Sequence, residues 1–296
     1  MHHEDVEDDA RFPTWLIAAH ERLSRRDVMV HYHQSPSEHM VRYVTIPCPR
    51  LPAAFDGATV AVLSDIHAGG KRGTQQAVAR LVQTVNGLRP DIIVLPGDVI
   101  HDAKRAAEYL PLLSKLEAAD GVWASLGNHE HGFVWFSKYV GPAAVPSIAE
   151  WRSMFAEVGV RLLVNEATPL ERGESRIWLV GVDDAYSGND QLPTALEGVD
   201  AADFCLAITH SPDLMDAARA GELDLILAGH THGGQVSLPL LGPLWAPCRK
   251  FRQRAAGLIR NGRTAMYVSR GVGEGLPIRL GCPPELPIIT LRRDGS

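Results

Sequence analysis

The sequence predicts a layered α/β sandwich in which two packed sheets are flanked by helices. From Ala58 onward, short apolar runs alternate with segments of helical periodicity, which is typical of repeated strand-helix units. Beyond Gly233 the pattern changes to strands and turns, which favours mixed sheets. No Pro/Ser-rich linker divides the 296 residues. We therefore expect a single domain over residues 51–296, preceded by a partly ordered N-terminal extension, residues 1–50.

Six apolar runs supply the predicted strands of the α/β part. In chain order they are ATVAVLSD, DIIVLPGD, GVWASLGN, RIWLVGVDD, DFCLAITH and DLILAGH. The predicted helices are GTQQAVARLVQTVNGL, AKRAAEYLPLLSKLEAA, residues 147–157 and the short SPDLMDAARAGE. In the last of these, Ser211 is a candidate N-cap and Pro212 suits the first helical turn. Since ligands of α/β sheets bind at the carboxyl ends of strands, the residues that end these runs are the functional candidates.

The composition is that of an ordinary globular protein and disfavours several classes of function. A net charge of -6 gives no general attraction to nucleic acid, so nucleic acid is not expected as a substrate. The four cysteines form no C-x-x-C pair, which argues against a zinc ribbon or a disulfide framework and favours a cytoplasmic location. Near the N-terminus, the apolar stretch WLIAA is too short for a signal peptide or a membrane span. Residues 14–24 favour a short amphipathic helix that lies either on the domain, which we prefer because the stretch is not strongly basic, or on a membrane surface.

Five of the six apolar runs end in side chains that can bind a metal. In chain order these are Asp65 and His67, then Asp98, then Asn128 and His129, then His210, then His230 and His232. Each occurrence alone has a plain structural explanation, because Gly-Asn and Gly-His are ordinary turn pairs. Together they would require five coincidences at equivalent places in the architecture. We therefore predict a metal site, and strand alternation would place Asp65 and His67 on one side.

Apart from His129, the candidate ligands comprise two carboxylates, one amide and four imidazoles, without a thiolate. This combination suits divalent ions such as Mn²⁺, Fe²⁺, Zn²⁺ or Mg²⁺. It exceeds what one ion accommodates while keeping a position open for substrate. The residues therefore predict two ions that share a bridging carboxylate.

The order of these motifs resembles the calcineurin-like metallophosphoesterase superfamily. The matching elements are D-x-H, G-D, G-N-H-E, H and G-H-x-H, between residues 58 and 232. The segments GHTHGGQVSLP and SRGVGEGLPIRLGCPPELPIITL resemble its bacterial stand-alone phosphohydrolases. The resemblance implies a four-layer α/β/β/α sandwich of two mixed sheets flanked by helices.

The resemblance also implies roles for individual residues. One ion would be held by Asp65, His67 and His232, the other by Asn128, His210 and His230, with Asp98 bridging the two. His129 would act in catalysis and Glu130 would orient it. His101 departs from the pattern, because an acidic residue is usual three positions after the bridging Asp.

Two ions would lower the pKa of a bridging water, which would attack phosphorus in line while His129 protonates the leaving oxygen. The leading interpretation is a phosphodiesterase that acts on a small or lipid-like substrate. It would depend on two divalent ions, for which manganese, iron, zinc and magnesium are candidates. One alternative is a nucleotide-linked lipid pyrophosphatase with a substrate like UDP-diacylglucosamine. The other is a non-catalytic scaffold that has kept the fold. The sequence leaves the oligomeric state open.

Two irregular segments are candidates for substrate recognition. Residues 131–146 hold an aromatic cluster that includes Trp135, which serves either as core or as a lid over an apolar leaving group. Residues 238–254 join apolar LPLLGPLW to basic residues that include Arg249, and they either cover a sheet edge or contact an acyl chain or a membrane. Arg270 either adds positive charge near the site or pairs with acidic neighbours. Trp135, Arg249 and Arg270 are the candidate substrate-binding residues.

Overall fold

A computed structural model gives the fold of most of the chain. It describes residues 30–34, 40–132, 145–218, 222–273 and 279–293. The helix predicted over residues 14–24 and the segment around Trp135 lie outside these ranges.

The described strands follow one another along the whole chain. They are β1 Val30–Gln34, β2 Met40–Pro47, β3 Thr59–Val62, β4 Ile92–Pro96, β5 Val122–Ser125, β6 Val160–Leu162, β7 Glu166–Arg172, β8 Ser175–Gly181, β9 Cys205–Ile208, β10 Leu225–Ala228, β11 Ser237–Leu238, β12 Gly242–Pro243, β13 Gly257–Asn261, β14 Thr264–Val268 and β15 Glu285–Arg292. The α-helices are Gln75–Leu88, Ala106–Tyr109, Ile148–Glu157, Leu192–Ala195, Leu214–Ala217 and Phe251–Arg254. Short 3-10 helices are Ala53–Phe55, Ala103–Arg105, Leu110–Lys115 and His232–Gly234. None of the helices in the described ranges combines the length and apolar character that crossing a membrane needs.

These strands form two mixed sheets and a small hairpin. The first sheet has the order β1-β2-β15-β3-β4-β5-β6, in which β3 to β6 are parallel and β15 runs antiparallel to β3. The second has the order β13-β14-β10-β9-β8-β7, with a parallel centre and an antiparallel strand at each edge. Strands β11 and β12 form a separate two-stranded antiparallel pair. The expected change to mixed pairing after Gly233 is therefore confirmed.

The core is divided into layers by the alternation of side chains along the strands. In β3, Val60 and Val62 pack between the two sheets, whereas Ala61 faces the helices on the outer side of the first sheet. The helix Gln75–Leu88 buries one stripe of apolar residues in that outer layer. A third apolar cluster covers the far side of the second sheet and includes Leu214 and Met215. The predicted sandwich of two mixed sheets flanked by helices is confirmed.

The main helices begin and end where the sequence provides caps. Thr74 accepts a hydrogen bond from Ala77 N at the start of Gln75–Leu88, and Arg89 ends this helix in a left-handed conformation. Ser147 and Glu150 form a capping box at the start of Ile148–Glu157.

Two of the helices in the structure have different bounds from those that the sequence predicts. The second predicted helix is broken into Ala103–Arg105, Ala106–Tyr109 and Leu110–Lys115. Pro111 lies near the start of the last segment, where its missing N–H cannot continue an α-helical ladder. The short helix after β9 begins only at Leu214, so Ser211 is not its N-cap.

Strand β2 lies within the stretch assigned to the N-terminal extension. It pairs in parallel over its full length with β15, from Met40↔Glu285 to Pro47↔Arg292. Residues 40–47, which the sequence analysis assigned to the N-terminal extension, are therefore part of the first sheet. The division into extension and domain stays a prediction.

Candidate metal centre

The candidate ligands lie where the carboxyl ends of both sheets meet. Each follows the end of a strand within two to five residues: Asp65 and His67 after β3, Asp98 after β4, Asn128 after β5, His210 after β9, and His230 and His232 after β10. All seven side chains are buried. Strands β3, β4 and β5 are neighbours in one sheet, and β9 and β10 are neighbours in the other. The topology thus brings together residues that are up to 167 positions apart in the chain.

The backbone at this edge is held in an unusual conformation. Nine non-glycine residues in the described ranges have positive φ, and five of them are candidate ligands: Asp65, His67, Asp98, His230 and His232. A left-handed conformation is costly for residues with a Cβ, and such strain concentrates at functional sites. This corrects the reason given for the orientation of Asp65 and His67. Strand β3 ends at Val62, so tight turns rather than strand alternation place these two side chains.

The ligand atoms form two groups. Side-chain donors of Asp65, His67 and His232 lie within 4.8 Å of one another, and so do those of Asp98, His210 and His230. Asn128 joins the second group, because its Oδ1 lies 3.2 Å from Nε2 of His210. His230 and His232 therefore belong to different groups, as expected for ligands of two ions.

Asp98 lies between the two groups. Its Oδ2 is 3.2 Å from Nε2 of His210 in one group and 3.8 Å from Nε2 of His67 in the other. Its Oδ1 accepts a hydrogen bond from the backbone N–H of His129 at 2.9 Å, which fixes the carboxylate in this position. A carboxylate placed in this way can contact an ion on either side.

The donor atoms fit divalent cations. Nε2 of His67 and Nε2 of His232 face one another at 3.0 Å, and Nδ1 of His230 faces Nε2 of His210 at the same distance. Two ring nitrogens at this distance cannot both carry a hydrogen, so at least one lone pair of each couple points at its neighbour. A cation coordinated by both nitrogens would use these lone pairs. Nitrogen and oxygen donors without thiolate suit Mn²⁺, Fe²⁺, Zn²⁺ or Mg²⁺.

The electrostatics of the metal-free site place a proton on His210. Burial would lower the pKa of His210, but the Asp98 carboxylate beside it raises this pKa well above its ordinary value. Burial and the charge of His210 lower the pKa of His230 to about 3. Burial also lowers the pKa of His67 well below its usual value. Most of these imidazoles are thus neutral and have a lone pair free for a metal.

Backbone groups and one arginine hold the ligands in place. The N–H of His230 donates to the carboxylate of Asp65 at 3.1 Å, and Ser64 Oγ hydrogen-bonds the same carboxylate. Arg279 reaches Nδ1 of His232 at 2.8 Å and donates to its carbonyl oxygen at 2.9 Å. Gly229 is required for this packing, because a Cβ there would overlap Ser64 and the Asp65 carboxylate.

The structure places His129 next to both ligand groups. Its Nε2 lies 3.8 Å from Oδ2 of Asp98, and its ring centroid lies 4.5 Å from that of His67. Its Nδ1 lies 2.6 Å from the carbonyl oxygen of His101. A carbonyl only accepts, so Nδ1 carries the hydrogen and Nε2 faces the candidate metal centre.

Glu130, which was expected to orient His129, contacts backbone N–H groups instead. Its carboxylate accepts hydrogen bonds from the backbone N–H groups of Asp98, Ile100 and Gly127 at 2.8 to 3.0 Å. It therefore joins the turns after β4 and β5, while the carbonyl of His101 orients the ring of His129. Burial raises the pKa of Glu130 to about 7, as does the nearby Asp98 carboxylate, and the N–H donors oppose that shift.

The three candidate substrate-binding residues have different positions. Trp135 lies outside the described residues. Arg249 is three-quarters exposed, and its backbone N–H donates to Asp213 at 3.0 Å. Arg270 is buried with its guanidinium 3.8 Å from Glu285. This burial argues against direct contact of Arg270 with a substrate, and the roles of all three residues stay predictions.

The loop after β8 contributes residues that sequence reasoning did not select. The ring of Tyr186 lies 4.6 Å from the ring of His230, measured between centroids, and Tyr186 remains 47% exposed. Asp183 accepts a hydrogen bond from Nε2 of His131 at 2.7 Å, which connects this loop to the turn that bears His129. The signal was RIWLVGVDD, the one apolar run that supplied no candidate ligand, which also ends in acidic residues at the carboxyl end of a strand.

Comparisons with known proteins agree with this geometry. The family description "Calcineurin-like phosphoesterase" matches residues 58–234. The chain is 30% identical over 253 residues to the metallophosphoesterase YkuE of Bacillus subtilis, covering 84% of each protein. It is 34% identical over 205 residues to phosphodiesterase YaeI of Escherichia coli, covering 69% of this chain and 71% of YaeI. A bovine transmembrane protein with a metallophosphoesterase domain is 30% identical over 85% of this chain and 57% of its own length.

The family match spans more than half of the chain and every candidate ligand. The prediction of a hydrolase that acts on phosphoester bonds is confirmed. The groups of His and Asp side chains in the protein are suited to two divalent ions. The chain belongs to the calcineurin-like phosphoesterase family.

Proposed function

We propose that this protein is a phosphodiesterase that works with two divalent ions. The observation that carries the proposal is the position of Asp98, whose Oδ2 lies between two groups of buried ligands at 3.2 Å from His210 and 3.8 Å from His67. The similarity to phosphodiesterase YaeI supports a diester as the substrate. The intact ligand set argues against a non-catalytic scaffold, because a protein that only binds partners has no need for seven buried ligands, five of them with a strained backbone.

In this proposal Asp65, His67 and His232 hold one ion, Asn128, His210 and His230 hold the other, and Asp98 contacts both. Bound ions would supply a water nucleophile at neutral pH and neutralise charge on the phosphoryl oxygens. Manganese is the ion that we propose first, and iron, zinc and magnesium are alternatives that the same donors accept.

His129 is the proton donor in this proposal. Its Nδ1–H donates to the carbonyl oxygen of His101, which orients the ring so that Nε2 faces the centre. In the protonated ring, Nε2–H points towards the place where the phosphoryl group would lie and can pass its proton to the leaving oxygen. The same N–H stabilises charge that develops on phosphoryl oxygens in the transition state.

The surface beside the centre favours a lipid-like substrate. Among the described residues, six large apolar side chains are exposed, and five of them cluster here: Leu240, Leu241, Leu244, Trp245 and Leu280. We call residues 237–245 the apolar hairpin. Leu280 bridges to its base through the Val236↔Leu280 pair. The hairpin adjoins the metal turn, because a Cβ on Gly234 would meet Pro243 and the carbonyl of Trp245.

Exposed leucine and tryptophan side chains on a short hairpin suit the interface of a bilayer. The bovine relative is named as a transmembrane protein, which is consistent with a site that works near a membrane. We therefore propose that one arm of the diester is lipid-like and that the hairpin makes a peripheral membrane contact. The cytoplasm is the proposed compartment, consistent with four free cysteines.

A substrate panel tests the proposed activity. The purified protein is loaded separately with Mn²⁺, Fe²⁺, Zn²⁺ or Mg²⁺ and assayed on an aryl phosphomonoester, an aryl phosphodiester and UDP-diacylglucosamine. We expect the diester to be hydrolysed fastest and the Asp98→Asn variant to be inactive with every ion. A preference for UDP-diacylglucosamine would support the lipid pyrophosphatase instead. If no compound is cleaved, the scaffold interpretation takes its place.

The membrane contact has a separate test. In the double variant Leu240→Ser/Leu241→Ser, we expect unchanged hydrolysis of the soluble aryl diester and at least about tenfold weaker sedimentation with phospholipid vesicles, since two exposed leucines are lost. Equal sedimentation of the variant and the parent protein would rule out the hairpin as the contact.

A further inference from the structure

A third group of imidazoles lies beside the two ligand groups. His67, His101 and His129 each offer a ring nitrogen, and these three nitrogens lie within 4.8 Å of one another. The ring centroids are 5.5 Å apart for His67 and His101, 5.0 Å for His101 and His129, and 4.5 Å for His67 and His129. We call these residues the histidine triplet. Only His67 is shared with the two ligand groups.

Two nitrogens of the triplet have no hydrogen-bond partner. Nδ1 of His67 and Nδ1 of His101 are both buried, and each has no partner in the structure. A histidine that binds a metal through one nitrogen almost always uses its other nitrogen in a hydrogen bond. Buried polar atoms without a partner are rare, and an ion or a water molecule commonly accounts for them. Nδ1 of His67 and Nδ1 of His101 are therefore available to coordinate an ion.

The nitrogen of His129 in this group is its Nε2, because Nδ1 is engaged by the carbonyl of His101. That same Nε2 is the atom that passes the proton in the proposed function. An ion coordinated to it would occupy the lone pair and prevent protonation. Occupation of the triplet and proton donation by His129 are thus mutually exclusive.

We propose that His67, His101 and His129 form an accessory, inhibitory cation site for ions that prefer imidazole, above all Zn²⁺. The inhibitory effect rests on the proposed function of His129, whereas the binding of the ion does not. With three nitrogens and no carboxylate, the site favours Zn²⁺, Co²⁺ or Ni²⁺ over Mg²⁺, which prefers oxygen ligands.

The accessory site is weaker than the two principal ones. None of its three ligands is a carboxylate, and the nearby Asp98, 3.8 Å from Nε2 of His129, is a ligand of the principal ions, so two other cations lie nearby when the centre is loaded. It also shares His67 with the first ligand group, so its ion either competes with the first ion or binds on the opposite side of the ring. We expect occupation only when the metal is in excess over the two principal sites, with affinity at least about tenfold lower.

The test compares zinc binding and zinc inhibition in the parent protein and in His101→Asn. Substitution of the side chain leaves the backbone carbonyl that holds His129. By isothermal titration and elemental analysis, we expect the parent protein to bind two ions tightly and a further Zn²⁺ weakly. His101→Asn should keep the first two and lose the last. Manganese-loaded parent protein should be inhibited by excess Zn²⁺ but not by excess Mg²⁺, and the midpoint of zinc inhibition should rise at least about tenfold in the variant.

Two further variants complete the design. His101→Gln repeats the test with a longer amide, and circular dichroism verifies that both variants are folded. Asp102→Asn is the matched control, because asparagine can still cap the 3-10 helix that Asp102 caps through Lys104 N. It should bind zinc and respond to zinc like the parent protein.

The proposal is overturned if the parent protein takes up no zinc beyond two ions, or if His101→Asn and His101→Gln keep the weak zinc ion. It is also overturned if these variants are inhibited at the parent's zinc concentration. The parent protein could also hydrolyse no phosphoester and still bind the weak zinc ion, with the His101 variants losing that ion. This result would contradict the proposed function but support the accessory zinc site.

Discussion

Oδ2 of Asp98 lies 3.2 Å from Nε2 of His210, and this contact holds the proton that a metal ion must displace. Asp98 raises the pKa of His210 well above its ordinary value, so His210 is protonated at neutral pH in the metal-free protein. We predict that metal binding at pH 7 releases about one proton from this residue. Titration calorimetry in buffers of different ionisation enthalpy measures the release. Heats that do not depend on the buffer would contradict the assignment.

His129 faces the centre without being one of its seven candidate ligands. We predict that His129→Ala keeps both ions but lowers turnover by roughly 10²–10⁴-fold, as is usual for general acid–base groups. Elemental analysis and steady-state kinetics on the aryl diester measure the two quantities. Loss of both ions from the variant would show that His129 is a ligand instead.

The buried carboxylate of Glu130 joins the turns that bear Asp98 and Asn128 by accepting three backbone hydrogen bonds. Glutamine has only one acceptor oxygen, and its NH₂ group would face a backbone N–H. We predict that Glu130→Gln lowers the free energy of unfolding by about 2–3 kcal/mol. Thermal unfolding of metal-free protein measures the change. A melting temperature equal to that of the parent would show that these hydrogen bonds contribute little.

Two glycines give a matched pair of substitutions. A Cβ at Gly229 would overlap Ser64 and Asp65, so Gly229→Ala should displace a ligand and weaken binding of one ion at least about tenfold. Gly87 lies in the helix Gln75–Leu88 with open space around it, so Gly87→Ala should stabilise the protein by about 0.5–1 kcal/mol. Metal titration and thermal unfolding distinguish the two outcomes. Equal metal affinity in both variants would contradict the close packing at Gly229.

The pair of His131 and Asp183 predicts a dependence of stability on pH. Burial would lower the pKa of His131, but the hydrogen bond to Asp183 raises it above the ordinary 6.5. A raised folded-state pKa means that the pair stabilises the protein fully below about pH 6.5 and loses this contribution as the pH rises through the folded-state pKa. Asp183→Asn should therefore cost about 1 kcal/mol near pH 6 and less at higher pH.

Melting curves of Asp183→Asn and the parent protein, recorded without metal between pH 6 and pH 9, measure this difference. A gap that widens as the pH rises would contradict the assigned direction of the pKa shift. His131 can also be followed directly by NMR titration, where its pKa should fall in the variant.

The parts of the fold that the sequence predicts are those set by local patterns. Apolar runs of four or five residues locate β3, β4, β5, β9 and β10, because each is buried on both faces and leaves an uninterrupted apolar stretch. The edge strand β7 has an irregular burial pattern and was not predicted. The pairing of β2 with β15 joins residues about 245 positions apart, and no local pattern encodes such a pairing.

The site shows the same division. The identities of the seven candidate ligands follow from strand ends, which are local. The contact between Tyr186 and His230 and the bond between His131 and Asp183 depend on how loops of different sheets meet, so the sequence does not reveal them. The role first given to Glu130 also shows this limit. The family resemblance implied that Glu130 orients His129, whereas its carboxylate accepts hydrogen bonds from the backbone of the turns after β4 and β5.

Strand β15 lies between β2 and β3, and it is the last described strand along the chain. During synthesis on the ribosome, strands β2 and β3 are made more than two hundred residues before β15. They cannot be joined in one sheet until β15 emerges and pairs with both. The first sheet therefore closes late, after both halves of the metal site have been translated. A nascent chain that stalls before residue 285 carries every candidate ligand but lacks the strand that completes the sheet behind them.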